Sequence, residues 1–112
     1  MAVDSLVIKR KVEDAIVYAF QALTHFPKSE RFTSAAEIRK SFLRILTLIV
    51  RANKTRNRLS LLYDLDVELD VLRSLVRVSQ SMGYLPFGKY EHISMHLTEI
   101  GRMLGGWIKS SS

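Results

Sequence analysis

Cysteine is absent from this sequence of 112 residues, and helix-breaking residues are scarce. Without cysteine, the chain can form no disulfide framework, thiolate nucleophile or thiolate metal site. Only two prolines are present, Pro27 and Pro86, and glycine occurs five times. Each proline lies in a short segment between long helical patterns, so the two prolines indicate where helices end.

Long apolar runs are also missing. The longest, residues 45–50, is interrupted by Thr47, is flanked by Arg44 and Arg51, and is far too short to cross a bilayer. The N-terminal segment MAVDSLVIKRK lacks the apolar stretch of a signal peptide. We therefore expect a soluble cytoplasmic protein with no membrane partner.

The composition is that of one globular, all-α domain. Hydrophobic residues make up 47% of the chain and charged residues 25%, a balance that favours a packed core over disorder. No segment alternates apolar and polar residues with a period of two, so no β-sheet is predicted. We predict a single domain, residues 1–112, with helices over residues 5–24, 35–53, 59–82 and 89–108. The short connections favour an up-down-up-down four-helix bundle.

Local signals set the expected helix ends. Asp4 is a favourable N-cap residue for the first helix. Ser34 and Glu37 have the spacing of a capping box at the start of the second. The second helix is expected to end near Asn53, because a longer helix would point Arg56 into the core.

Apolar stripes at helical spacing define the expected core. They consist of Ile8, Val12, Ile16, Ala19 and Leu23 in the first helix, Ile38, Phe42, Ile45 and Ile49 in the second, Leu62, Leu65, Leu69, Leu72 and Val76 in the third, and Ile93, Leu97, Ile100, Leu104 and Trp107 in the fourth. Two helices carry a second apolar stripe, which comprises Leu43, Leu46 and Val50 in the second helix and Val71, Leu75, Val78 and Met82 in the third. Helices with two apolar faces are deeply buried or lie between subunits, and a bundle of this size buries no helix completely. We therefore predict an oligomer.

A run of positive charge is the strongest indication of function. The net charge of +6 and the pI near 9.9 favour anionic partners. Residues 38–58 contain seven Lys or Arg and no Asp or Glu. A solvated helix face usually mixes both signs, so this unneutralised run favours contacts with nucleic-acid phosphates. We call it the basic stripe, and its members are Arg39, Lys40, Arg44, Arg51, Lys54, Arg56 and Arg58.

Other candidate sites carry weaker signals. His92 and His96 lie one helical turn apart and can share a metal ion, but the sequence supplies no HExxH arrangement and no third ligand. We expect exposed or interfacial histidines there, and a metal-dependent helical enzyme is the alternative. No sequence context organises Ser, His and Asp for nucleophilic catalysis, so we predict no enzyme activity, no cofactor and no metal. The acidic residues of the third helix are expected on a solvated face; they are Asp64, Asp66, Glu68 and Asp70.

Glycine and tyrosine residues suggest packing rather than ligand binding. Gly101 and Gly105 form a GxxxG pair, and each glycine inside a helix costs about 1 kcal/mol relative to alanine. We predict that they permit the close approach of a neighbouring helix. Tyr63 and Tyr84 can stack on bases, but burial at the ends of the bundle is the favoured prediction for both. Phe87 is expected to help Tyr84 close one end.

Three segments resemble known proteins. FPKSERFTSAAEIRKS (residues 26–41) resembles the first interhelical loop and second helix of the four-helix-bundle family found as 23S rRNA intervening-sequence proteins. LLYDLDVELDVLRSLVRVSQSMGYLP (61–86) and YEHISMHLTEIGRMLGGWIKSS (90–111) are similar to Avd, the accessory variability determinant of diversity-generating retroelements. The most specific portions are YDLDVELDVLRSLVR and EIGRMLGGWIKS.

The resemblance implies a function. Avd proteins are four-helix bundles that assemble into a basic, barrel-shaped pentamer, and they associate with the retroelement's reverse transcriptase and its template RNA. We therefore expect a non-enzymatic RNA-binding accessory protein that supports mutagenic cDNA synthesis. The alternative is a scaffold of the intervening-sequence type, or a module whose positive charge binds an acidic partner protein. The resemblance transfers no RNA-binding residue, so the basic stripe rests on the charge argument alone.

Overall fold

The computed structural model describes residues 5–112, which form four α-helices and no β-strand. The helices are α1 (Ser5–Ala22), α2 (Ser34–Asn53), α3 (Leu59–Ser81) and α4 (Phe87–Ser111). Two short 3₁₀ turns, Leu23–His25 and Lys28–Glu30, connect α1 to α2. The predicted all-α class is thus confirmed for the described part of the chain. None of these helices is both long and apolar enough to cross a membrane.

The contacts between helices show that neighbours run antiparallel. Lys11 in the first half of α1 pairs with Glu99 in α4, and Tyr18 near the end of α1 contacts His92 near the start of α4. Each helix packs against two others, α1 and α3 both lying between α2 and α4. The bundle is 43 Å long and roughly half as wide. One end therefore contains the C-termini of α2 and α4, and the opposite end contains their N-termini.

The core follows the four predicted stripes closely. Every predicted core residue of α2, α3 and α4 is buried, and in α1 only Ile16 is merely half-buried. Ala15 and Ala22 complete the α1 contribution, because small side chains let α1 approach its neighbours. Trp107 and Phe26 are buried near opposite ends of the bundle. A periodicity of 3.6 was sufficient to find this core, since each helix buries a single face.

The capping-box prediction for α2 is wrong. Thr33 occupies the N-cap position and makes no side-chain capping bond. The Ser34 hydroxyl instead donates to Glu30 Oε1 at 2.6 Å, and the Glu37 carboxylate pairs with Lys40. A carboxylate in the preceding turn therefore outcompetes the backbone for the serine hydroxyl. The predicted N-cap of α1, Asp4, lies outside the described residues.

The connection between α3 and α4 is a tight turn that glycine makes possible. Gly83 has a φ of 80°, in the left-handed region, and the Tyr84 amide donates to the Ser79 carbonyl at 2.9 Å. This places Leu85 in the core and the Tyr84 ring 5.8 Å from that of Phe26. Tyr84 thus lies at the bundle end as predicted, but it is half-buried rather than fully buried.

Phe87 does not help to close this end. It is the first residue of α4 and 60% exposed. Leu85, which the sequence analysis did not single out, takes the buried position instead.

Candidate nucleic-acid interface

The basic stripe follows α2 and continues into the turn before α3. Its first four members lie on α2, which is 20 residues long, and Lys54 is the C-cap of that helix. Arg56 and Arg58 follow in the turn, and Arg58 immediately precedes α3. The stripe therefore runs along one side of the bundle and ends beside the C-terminus of α2. A helix C-terminus has a partial negative charge, so cations in this place also stabilise the helix.

Arg44 is not free, which corrects the prediction of an unneutralised stripe. Its Nε donates to Glu68 Oε1 at 3.0 Å, and the other oxygen of Glu68 accepts the Ser41 hydroxyl at 2.6 Å. Ser41 is completely buried between α2 and α3. Glu68 is thus a structural link between two helices and not a residue of a solvated face, as its position among the acids of α3 had suggested.

Three other members of the basic stripe also have partners within the chain. Lys40 Nζ lies 3.6 Å from Glu37 Oε1, but both side chains are more than half exposed and the pair contributes little to stability. The Arg39 guanidinium lies over the Phe20 ring at 5.8 Å, and that of Arg58 over the Trp107 ring at 5.9 Å. Both arginines remain charged, but part of each surface is used for packing.

Arg51, Lys54 and Arg56 are the members without such partners. All three are exposed, and none pairs with a carboxylate among residues 5–112. We call these three residues the basic end. Arg51 and Lys54 also line a groove of about 490 Å³, together with Leu46, Thr47, Val50 and Thr55. Apolar groove walls beside unpaired cations fit a ligand with both an anionic and an apolar part.

The two tyrosines have different environments. Tyr84 packs on Phe26, whereas Tyr63, on the second turn of α3, is 52% exposed. The prediction of burial is therefore wrong for Tyr63, because its position on the helix points away from the core residues Leu62 and Leu65. Sequence periodicity places Tyr63 off the core stripe, and that signal was available.

The histidine pair is packed against α1. Tyr18 stacks on His92 with ring centroids 4.0 Å apart, and the His92 and His96 rings are 5.0 Å apart. Burial, followed by the nearby positive charge of His92, lowers the pKa of His96. Glu99, whose negative charge acts on His96, pairs with Lys11 at 2.9 Å. Among residues 5–112 no three metal-binding side chains come together, so the geometry does not add the third ligand that the sequence lacks.

The two glycines of the GxxxG pair differ. A Cβ atom on Gly101 would lie 2.5 Å from Arg73 Nη2 and 3.4 Å from Leu69 Cδ2, so the predicted close approach is confirmed there. Gly105 is exposed, and a Cβ atom would meet nothing within 4 Å. The bundle therefore gives no packing reason for Gly105.

The sequence analysis missed two features of the surface, at Glu68 and at Phe32. We expected Glu68 on a solvated face, because its contact with Arg44 depends on the register between α2 and α3, which the sequence does not show. Phe32 lies in the polar segment PKSERFT before α2, was not singled out from the sequence, and is 92% exposed. Its aromatic side chain within that polar segment was the only available signal.

Comparison with known proteins gives one result of high coverage. A family model described as bAvd-like matches residues 6–111, which is nearly the whole chain. A search of curated proteins finds no match. The matched region covers the four helices, except Ser5 of α1, and the whole basic stripe.

Proposed function

Because this chain belongs to the bAvd-like family, we propose that it is a non-enzymatic accessory protein of a retroelement reverse transcriptase. In this proposal the protein binds the template RNA and associates with the polymerase during mutagenic cDNA synthesis. Family membership supports the accessory role, and the charge distribution supports RNA as the ligand. A cytoplasmic location would follow from this role.

The basic end is the main structural support for the proposal of RNA binding. Three exposed cations that pair with no carboxylate in the described part of the chain repel one another, and a phosphate backbone would relieve that repulsion. The remaining members of the basic stripe extend the positive surface along α2. Contacts of this kind supply affinity without sequence specificity, so specificity would come from RNA shape or from the polymerase.

We also propose self-association, with five copies as the resemblance implies. The second apolar stripe of α3 exposes Val71, Val78 and Met82, and the exposed Val67 lies one turn before them; all four are between 44% and 64% exposed. We call these four residues the α3 stripe. Contiguous apolar surface of this kind marks an interaction site. Asp64 and Asp70 flank it and disfavour a phosphate backbone, so a protein surface is the better fit. We therefore assign the α3 stripe to contact between copies.

The test of RNA binding is charge reversal at the basic end. The variant combines Arg51→Glu, Lys54→Glu and Arg56→Glu, and fluorescence anisotropy measures its affinity for a structured RNA at low salt. These residues are exposed and pair with no carboxylate among residues 5–112, so the helical circular dichroism signal should be retained while binding is lost. Arg44 and Arg58 are left intact, because their replacement would also break contacts with Glu68 and Trp107.

A control variant with the same change in net charge separates position from total charge. It combines Arg10→Glu, Arg77→Glu and Arg102→Glu, which lie exposed on the other three helices. We expect the control to retain most of the affinity. Equal losses in both variants would mean that the basic end is not the RNA surface. No binding by the wild-type protein would favour an acidic protein partner instead.

A further inference from the structure

Phe32 is the most exposed large apolar side chain in the described part of the chain. It is 92% exposed and lies in the loop between the second 3₁₀ turn and α2. Single apolar residues on a surface are ordinary, so exposure alone indicates no function. The structure of the loop and its charges make this residue different from the other exposed apolar residues.

The loop is ordered by its own hydrogen bonds. The Glu30 amide donates to the Pro27 carbonyl at 2.8 Å, and the Thr33 amide to the Glu30 carbonyl at 3.3 Å. The Thr33 and Ser34 hydroxyls both donate to Glu30 Oε1, at 2.9 and 2.6 Å, and these bonds lower the pKa of that carboxyl group. The backbone that carries Phe32 is thus held in place before any ligand binds, which reduces the entropy lost on binding.

The loop that carries Phe32 also contains two cations. Lys28 and Arg31 are exposed, and neither pairs with a carboxylate among residues 5–112. The only acid of the loop, Glu30, is engaged by the hydroxyls of Thr33 and Ser34. An apolar docking site for a protein would need further apolar neighbours, but both sequence neighbours of Phe32 are polar and exposed.

The position of the loop connects Phe32 to the basic stripe. The loop leads directly into α2, whose 20 residues span about 30 Å and end at the basic end. Exposed aromatic rings beside a track of cations are the arrangement that binds single-stranded nucleic acid, with bases stacked on the rings and phosphates on the cations. A duplex does not offer its base faces in this way.

We propose that Phe32 is a stacking platform for an unpaired base of an RNA strand whose backbone follows α2 toward the basic end. This inference rests on the proposed RNA binding and specifies its ligand as single-stranded RNA. Lys28 and Arg31 contact the phosphates next to the stacked base. The ring discriminates bases weakly, because every base has a π face.

The test compares two probes, an oligouridylate long enough to span α2 and an abasic ribose-phosphate strand of the same length. Phe32→Ala should weaken oligouridylate binding about 5- to 100-fold and leave binding of the abasic strand unchanged. Phe32→Trp should bind oligouridylate as the wild type does, whereas Phe32→Leu should behave like Phe32→Ala. Leucine keeps the apolar volume of the side chain but removes the π face.

Phe87→Ala is the matched control. Phe87 is another exposed phenylalanine, but it lies at the start of α4, where its ring is 5.9 Å from that of Tyr90. This variant should bind both probes as the wild type does. Thermal unfolding of all variants verifies that the fold is retained.

Different results overturn different claims. If Phe32→Ala and the wild type have equal affinity for oligouridylate, the stacking role alone is overturned. The same follows if Phe32→Leu binds oligouridylate as tightly as the wild type does. A lower molar mass of Phe32→Ala in solution would assign the ring to contact between copies and would also overturn the proposal. If the wild-type protein binds the structured RNA but neither single-stranded probe, this inference alone is overturned; if it binds none of the three RNAs, the proposed function is overturned as well.

Discussion

Gly101 and Gly105 show how one residue type serves different purposes in the same helix. Gly101 lets α3 approach α4, and Arg73 uses the space to donate from Nη2 to the Leu97 carbonyl at 3.0 Å. Gly105 has no neighbour that a methyl group would touch. Sequence analysis could identify both as unusual in a helix, but it could not separate them, because the difference depends on which residues of α3 lie opposite.

Alanine substitution should therefore have opposite effects at the two positions. Gly105→Ala should raise the free energy of unfolding by about 1 kcal/mol, the difference in helix propensity. Gly101→Ala should lower it, because the new Cβ displaces the Arg73 guanidinium and breaks a charge-assisted hydrogen bond that contributes about 1.5–3 kcal/mol. Urea unfolding followed by circular dichroism measures both.

The two variants are each other's control, since both make the same chemical change in α4. Equal stabilisation would mean that Arg73 moves aside without cost. If Gly105→Ala lowers the free energy of unfolding only at high protein concentration, Gly105 lies in a contact between copies.

At the scale of the helices, α2 illustrates what a sequence can specify. Its core face and its end at Asn53 agree with the sequence prediction, because both follow from residues within one helix. The capping pattern at Ser34 and the free state of Arg44 were predicted wrongly. Glu30 and Glu68 decide those two features, and they lie in other elements whose position relative to α2 is set only by the fold.

Because Glu68 neutralises Arg44, a substitution of Glu68 changes the positive charge that α2 presents. Glu68→Gln keeps an acceptor for Ser41 and Arg44 but removes the negative charge, so Arg44 becomes an unneutralised cation. We expect tighter RNA binding at low salt and a salt dependence steeper by about 0.7 in the log–log slope, the contribution of one additional phosphate contact on a single strand. Fluorescence anisotropy across a salt series gives both quantities.

Glu91→Gln provides the control for this prediction. Glu91 is exposed on α4 and pairs with no cation among residues 5–112, so its replacement changes the net charge equally. The prediction fails if both substitutions tighten binding to the same extent, since the effect would then come from total charge.

At the scale of the whole molecule, different sides of the bundle present different kinds of side chain. Positive charge follows α2 to the basic end, whereas α3 presents exposed apolar residues next to acids. The sequence predicted both surfaces, because amphipathic spacing shows which residues leave the core. It could not show that Phe32 is exposed, since exposure in a loop depends on the neighbouring elements.

Self-association should depend on the α3 stripe. A variant with Val71→Ser and Val78→Ser removes apolar contact area from residues that are exposed in the single chain, so the fold should be retained. Light scattering should give a multiple of 12.8 kDa for the wild type and a lower mass for this variant. Val17→Ser, at a 61% exposed position on α1, should leave the mass unchanged. A monomeric wild type at all concentrations would contradict the assignment.

The most direct test of RNA binding by this protein is the salt dependence of its affinity. Displacement of counterions from several phosphates predicts a log–log slope of about −3 or steeper for the wild type. In the variant that combines Arg51→Glu, Lys54→Glu and Arg56→Glu, this slope should be shallower by at least about 2. In the control that combines Arg10→Glu, Arg77→Glu and Arg102→Glu, the slope should change less. A wild-type affinity that does not change with salt, or a slope that the basic-end variant leaves unaltered, would contradict the proposal that this surface neutralises RNA phosphates.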